Sequence, residues 1–377
     1  MDAKSKSLES SLTVPSVQEL SLQNPQKVPQ RYIRDDADHD FCTFPSSDPS
    51  LTIPLIDKAK LVNTDTQQDE LHKLHLACKH WGVFQMLNHG VSSVNNMGNE
   101  VKRFFELPLQ EKTRWAQKAG SLEGYGQAFV TSQEQKLDWN DMIFLKSLPI
   151  QNRKLDLWPQ NPPEFRETLE KYSEDIRDEA ISIVSFITLA LGLEDTKMSE
   201  SFHEGLYDIR MNCYPPCPEP ERVLGIIPHA DNSAITLLVD FGDFPGLQFL
   251  KDEKWVSVEP IDGAIVVNIG HIIEVCNFFT DKLAWKQTRT SNTDTSTLVM
   301  TNGIYKAPEH RAVVNKEKER LSIVTFCYPS PSIDIGPVKK LTDEGNQQAY
   351  KNMTNAEYFN RFFNRKLDES FIDSLRL

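Results

Sequence analysis

The chain has no apolar run long enough to cross a bilayer, and no CxxC pair among its six cysteines. The first absence argues against a helical membrane span. The second leaves neither a zinc knuckle nor a disulfide framework. Cys42, Cys78, Cys213, Cys217, Cys276 and Cys327 therefore read as reduced, mostly buried thiols. The opening MDAKSKSLESSLTVP lacks the continuous apolar segment of a secretory signal, so a cytosolic location is expected. Positive charge is in deficit: the net charge of −13 argues against nucleic acid or an anionic membrane surface as partner. Repeats and low-complexity segments are missing as well. What remains is the composition of an ordinary globular protein, 39% hydrophobic and 25% charged, expected to be a monomer.

Residues 1–50 are polar, with Pro15, Pro25 and Pro29 and an acidic run from Asp35 to Asp40, and predict a loosely ordered arm. Residues 51–204 read as mainly helical. Leu71, Leu74, Ala77, Cys78 and Trp81 fall on one helix face, which Gly82 ends, and Val83–Asn88 reads as a strand. Val94, Met97, Val101, Phe104 and Phe105 mark a second helix, and residues 123–147 a hairpin region. Phe165, Leu169, Tyr172, Ile176, Ala180, Ile183 and Ile187 keep the 3.6-residue period of a long helix that Gly192 stops. From about residue 205 the texture changes to short strands separated by turn residues, as in a barrel or jelly roll. A helical tail over 336–377 carries Tyr358, Phe362 and Phe363 on one face.

The chemistry concentrates in that strand-rich region. His229-Ala230-Asp231 is the chain's one His-x-Asp, and on a strand its two side chains share a face. A second His returning on a later strand, His310, would complete two imidazoles and one carboxylate, the facial triad that binds ferrous iron and leaves positions open. Arg320 and Ser322 follow, two residues apart. The charged turn Lys316–Glu319 predicts a hairpin that sets His310 and Arg320 on neighbouring strands. A planar guanidinium beside a hydroxyl suits the far carboxylate of a small dicarboxylic acid. The plainer readings are a core His near a turn Asp, and an exposed Arg320 paired with Glu317 or Glu319. Asn212 and Tyr214 share a strand face just upstream and offer further hydrogen-bonding groups.

With these pieces in order, the chain resembles the plant 2-oxoglutarate- and Fe(II)-dependent dioxygenases. The resemblance is carried by Ile53-Pro54-Leu55-Ile56-Asp57, Trp81-Gly82-Val83-Phe84-Gln85, Asn88-His89-Gly90, Tyr214-Pro215-Pro216-Cys217 and His229-Ala230-Asp231. It continues through Gly246-Leu247-Gln248, Asn268-Ile269-Gly270, Glu309-His310-Arg311 and Arg320-Leu321-Ser322. The run Glu123–Trp139 resembles the branch containing alkaloid O-demethylases and norcoclaurine-synthase-like proteins. The resemblance implies an α+β fold, a double-stranded β-helix (jelly-roll, cupin-like) over 205–335 flanked by helices. It implies Fe(II) on His229, Asp231 and His310, with 2-oxoglutarate held by Arg320 and Ser322, supported by Asn212 and Tyr214. It also implies O2, a small-molecule substrate and ascorbate as reductant. By family position Phe326, Trp139 and Phe144 are pocket walls, although ordinary aromatic core is an equally good reading of each.

The chain departs from the family in places. Cys213 stands where Tyr is common, and His271 where Asp is commoner; His271 reads as a helix start rather than a fourth ligand. Asp231 and His310 lie 79 residues apart, a longer gap than relatives use, and the excess falls in Cys276–Val299, rich in Thr, Ser and Asn. That insertion reads either as translated intron or as a surface excursion near the active-site rim. The expected function is hydroxylation or O-demethylation of a small plant specialised metabolite. Two alternatives stand beside it: a non-redox condensation of an amine with an aldehyde, and an inactive protein whose insertion misplaces the His310 strand.

Overall fold

The computed structural model describes residues 12–23, 26–34, 51–118, 121–127, 130, 132–193, 197–274, 297–298, 304–335, 351, 353–363 and 375. Its strands run, in chain order, β1 (Leu55–Asp57), β2 (Val83–Leu87), β3 (Gly124–Gly126), β4 (Asp141–Leu148) and β5 (Leu206–Tyr214). Then come β6 (Ile226–His229), β7 (Ile235–Asp240), β8 (Leu247–Lys251), β9 (Lys254–Ser257) and β10 (Ile265–Ile269). The last are β11 (Thr297–Leu298), β12 (His310–Ala312), β13 (Arg320–Tyr328), β14 (Asp334–Ile335) and β15 (Met353–Thr354).

One sheet has eight strands in the order β1-β2-β10-β7-β13-β5-β4-β3, and another has four in the order β6-β12-β8-β9. Apolar side chains from both meet in one cluster: Leu238, Val266 and Val324 from the large sheet, Leu247, Phe249 and Val256 from the small one. The two sheets therefore face each other across a shared interior. This is the double-stranded β-helix, and the large sheet also takes four strands from the helix-rich region before residue 205.

Alternation decides what each face of the large sheet does. On β13, Leu321, Ile323 and Cys327 join the main core, while Arg320, Val324 and Phe326 turn to the inter-sheet cavity. Against the outer face packs the helix Phe165–Ala190, whose Phe165, Leu169, Tyr172, Ile176, Ala180, Ile183 and Ile187 are all buried. Burying each large apolar side chain contributes about 1.5–3 kcal/mol, so this stripe holds the sheet's back. The helix Gln67–His80 buries Leu71, Leu74, Ala77 and Cys78 as its spacing predicts, and Gly82 turns the chain out of it at φ 67°.

Two expectations are corrected. The first concerns the arm: in its described parts, 12–23 and 26–34, it is packed rather than loose. Val17, Val28, Tyr32 and Ile33 are buried with Trp139, Tyr214, Cys217 and Val223. Asp141 fastens it, its Oδ1 accepting from the Val17 amide (2.8 Å) and its Oδ2 from Ser16 Oγ (2.6 Å) and the Gln18 amide (3.0 Å). Four buried apolar residues scattered among polar ones carry no period, so composition alone hides them.

The second correction concerns the hairpin. β12 pairs with β6 and β8 in the small sheet, whereas β13 pairs with β5 and β7 in the large one. His310 and Arg320 thus reach the same cavity from opposite walls. Most of the 276–299 insertion lies outside the described residues; Thr297–Leu298 forms β11, which pairs in parallel with β14. The ligand strand is not misplaced, because β12 sets His310 opposite both His229 and Phe249.

Candidate functional site

β6 ends on His229, and Asp231 lies just past it, ahead of a bend at 232–234, so the two do not share a strand as expected, yet both side chains reach the cavity. Antiparallel pairing sets His310 opposite His229, with ring centroids 4.3 Å apart. Asp231 Oδ1 stands 3.8 Å from the Nε2 of each imidazole, and one ligand atom from each of the three residues lies within 4.8 Å of the others.

The outer atoms are committed elsewhere. His229 Nδ1 lies 2.8 Å from the Ile227 carbonyl and His310 Nδ1 3.1 Å from the Pro308 carbonyl. A carbonyl can only accept, so each Nδ1 carries the proton and each Nε2 lone pair is free to bind a metal. Asn268 donates to Asp231 Oδ2 at 3.2 Å, orienting the carboxylate. Burial, reinforced by His310, pushes the His229 pKa down to about 4, which keeps the imidazole neutral. Burial opposes ionisation of Asp231, but the two imidazoles, with hydrogen bonds from Thr236 and Asn268, hold its pKa below the ordinary value.

Two neutral nitrogens and one carboxylate oxygen, all on one side of an open cavity, form a donor set that fits ferrous iron. His271 is not among the ligand candidates. It begins the helical turn His271–Glu274, and its amide donates to the Asp231 carbonyl.

The opposite wall is built on β13 and β5. Register sets Arg320 across from Tyr214 and Ser322 across from Asn212. Asn212 Nδ2 donates to Ser322 Oγ at 3.2 Å, and the Arg320 guanidinium lies over the Tyr214 ring, 5.0 Å from its centroid. Arg320 is 1% exposed, and neither Glu317 nor Glu319 is its partner. Instead Asp240 accepts from Nε at 3.0–3.1 Å and from Nη2 at 2.7 Å. Burial works against the Arg320 charge, but Asp240 and Tyr214 outweigh it and hold the group cationic. Gly246 makes room, since a Cβ there would come within 2.6 Å of Arg320 Cδ. Arg320, Asn212 and Tyr214 line the same cavity as the three ligand candidates. That cavity suits a keto-diacid: a chelating end at the metal, a far carboxylate at a buried guanidinium.

Of the expected pocket walls, Phe326 lines the cavity. Phe144 is half-buried, opposite Arg210 across β4 and β5. Trp139 is not a wall: it is fully buried against Tyr32, and its indole donates to the Pro215 carbonyl. The cavity also holds residues that the sequence pattern did not single out, Arg210, Thr236 and Asn268 among them. Arg210 and Thr236 could have been found by extending the strand-face alternation one step from Asn212 and through β7. Asp240 shares that face of β7, but a strand-end Asp reads first as a turn residue.

Two family models match the chain. The N-terminal region of non-haem dioxygenases in morphine synthesis covers residues 53–161, and the 2OG-Fe(II) oxygenase superfamily covers residues 207–329. The oxoglutarate-dependent flavonoid 7-O-demethylase 1 of Ocimum basilicum is 40% identical, over 100% of this chain and 94% of that protein. Codeine O-demethylase of Papaver somniferum is 38% identical, over 97% of each. Among solved structures, that of JOX2 in complex with 2OG, Fe and JA superposes with a TM-score of 0.79 at 29% identity, covering 98% of this chain and 99% of that one. With Fe(II) as its metal and 2-oxoglutarate as its co-substrate, the chain belongs to the 2OG-Fe(II) oxygenase superfamily.

Proposed function

We propose that this protein oxidises a small specialised metabolite of the kind plants make, by hydroxylation or by O-demethylation. The single observation that carries the proposal is the convergence of His229, Asp231 and His310 within 4.8 Å, in a cavity whose other wall presents Arg320. The demethylase names of its relatives support the second outcome. The two outcomes share one step, since a hydroxylated methoxy carbon is a hemiacetal that sheds formaldehyde.

In this reading His229, Asp231 and His310 hold Fe(II) through Nε2, a carboxylate oxygen and Nε2. Bound there, the metal supplies oxygen activation coupled to decarboxylation of 2-oxoglutarate to succinate and CO2, with one oxygen atom passing to the substrate carbon. The protein contributes position and dryness. Asn268 and the Ile227 and Pro308 carbonyls fix the ligand atoms. Arg320 and Ser322, with Asn212 and Tyr214, orient the far carboxylate of 2-oxoglutarate. Phe326 and Phe144 wall the substrate side. Ascorbate as reductant, a cytosolic location and a monomeric state, as expected from the sequence, are kept as parts of the proposal. The proposed division runs from the arm (1–50) through the helix-rich region (51–204) and the β-helix (205–335) to the tail (336–377). The amine–aldehyde condensation is not favoured, because the matching family models are those of oxygenases.

The test is a metabolite panel with Fe(II), 2-oxoglutarate and O2, scored by succinate release and by product mass. A gain of 16 mass units, or a loss of 14 with formaldehyde released, is the expected result, and His229→Ala is expected to abolish it. Succinate release that persists in His229→Ala would sink the reading.

A further inference from the structure

Beyond the ligand candidates the cavity face of the large sheet continues outward and becomes charged. On β5 the residues Leu206, Asp208, Arg210, Asn212 and Tyr214 alternate with Tyr207, Ile209, Met211 and Cys213, which are buried in the main core. Of the first set Arg210, Asn212 and Tyr214 line the cavity and Leu206 packs on the main core, while alternation puts Asp208 on the cavity side of β5, just outward of the lining residues. Asp208 belongs to a cross-strand row that starts at the metal site. Thr236 hydrogen-bonds the Asp231 carboxylate, register sets Phe326 beside Thr236, and Asp208 stands beside Phe326. From Thr236 to Asp208 is two strand spacings, about 10 Å, the span of a substituted aromatic ring system.

The charges along this wall are not equivalent. Arg210 is answered from within: its Nε donates to Asn212 Oδ1 at 2.7 Å, and the negative charges of Asp138 and Asp231 act on it. Lys146 stands directly opposite Asp208 across β4 and β5, yet it is exposed, and the two form no ion pair. Among the described residues Asp208 accepts no hydrogen bond, although its side chain is half-buried. The charged and titratable groups around it are Lys146, Glu123, Cys327 and Tyr328. Burial pushes the Asp208 carboxyl up to about 7; Lys146 draws it down and Glu123 raises it. A recessed carboxylate without a donor is costly unless something supplies one. Phe326, which lines the cavity beside it, offers only an apolar ring, so a donor is left to a molecule that extends outward from the cavity past Phe326.

We infer that Asp208 is a substrate-binding carboxylate, which takes the protonated nitrogen of an amine substrate about one aromatic ring system away from the carbon held at the metal. This inference deepens the oxygenase reading and rests on it. An acid would have to rely on Lys146, which solvent already satisfies, or on Arg210, whose charge is already balanced. An amine gains an ionic contact that, among the described residues, no group of the protein makes with Asp208.

The experiment uses the full chain loaded with Fe(II) and 2-oxoglutarate under strict anaerobiosis. Methoxylated benzyl, phenethyl and naphthylethyl probes, each as amine, alcohol and carboxylate, are titrated calorimetrically at pH 8. On at least one scaffold the amine is expected to bind ten-fold or more tightly than its alcohol. Asp208→Asn should reduce that ratio to within about two-fold and leave the Kd of 2-oxoglutarate unchanged; Lys146→Met should preserve it. Asp208→Ser serves as the second variant should the first fold poorly. The inference is overturned if no amine outbinds its alcohol, if carboxylates bind best, or if the preference survives both Asp208 variants. Failure of the oxygenase reading would look different, as loss of Fe(II)-dependent 2-oxoglutarate binding in the unaltered protein.

Discussion

Arg320 and Asp240 form an ion pair across two neighbouring strands, in which Nε and Nη2 of the guanidinium donate to the carboxylate. The aspartate sets the direction of the guanidinium before any ligand arrives. Removing one member of such a pair strands the other charge, at a cost of about 3–5 kcal/mol. Asp240→Ala should therefore melt well below the unaltered protein. A dicarboxylate that restores the missing negative charge should raise its melting temperature by more than it raises that of the unaltered protein. Thermal denaturation with and without 2-oxoglutarate measures both, and equal ligand-induced shifts would contradict this account.

Arg320 itself should discriminate between affinity and turnover. Losing a charge-assisted hydrogen bond to a carboxylate costs about 2–3 kcal/mol, or roughly 30- to 150-fold. Arg320→Ala should raise the KM for 2-oxoglutarate by that factor, with a much smaller change in kcat. Arg320→Lys should recover only part, because a single ammonium cannot satisfy Asp240 and a second carboxylate in planar geometry. Steady-state succinate release at varied 2-oxoglutarate decides, and a fall in kcat alone would count against the assignment.

The N-terminal arm depends on Asp141, which is 1% exposed and accepts three hydrogen bonds from residues 16–18. Asp141→Ala should remove about 2 kcal/mol of local stability and free the segment that carries Arg31 and Arg34. Those two arginines are the tryptic sites to watch: cleavage after them should accelerate in the variant under native conditions. An unchanged digestion pattern would mean that the Tyr32 and Val28 contacts suffice to hold the arm.

Stability should also carry a signature of Asp208. Its folded pKa of about 7 lies above the ordinary carboxylate value, so between roughly pH 4 and 7 the folded state binds more protons than the unfolded one. Stability therefore declines as pH rises through that window. Asp208→Asn removes the linkage, and the variant should match the unaltered protein near pH 4. By pH 8 it should exceed it by about 1–2 kcal/mol, after allowing for solvent screening. Melting curves of the metal-free proteins at the two pH values measure the difference. A variant less stable at pH 8 would show that Lys146 compensates the charge after all.

Several features of this protein were decided along the chain. Arg320-x-Ser322 shares a face because strand alternation is strict, while His229-x-Asp231 and His310 specify their chemistry by residue type, although Asp231 lies beyond the end of β6. The helix Phe165–Ala190 is equally plain from its period, since one apolar stripe has one way to bury itself.

Tertiary structure decided the rest. Trp139 and Phe326 are both aromatic and neighbour strands of the same sheet, yet only Phe326 meets the cavity. Burial and pocket walls ask for the same side chains, so composition cannot separate them. Asp240 became the partner of a buried cation only when β7 and β13 were laid side by side, and Asp208 the neighbour of Phe326 only when β13 met β5. A carboxylate is read as solvated turn chemistry until the strands that shield it from water are in place, and that shielding is a property of the assembled sheets rather than of any stretch of the chain.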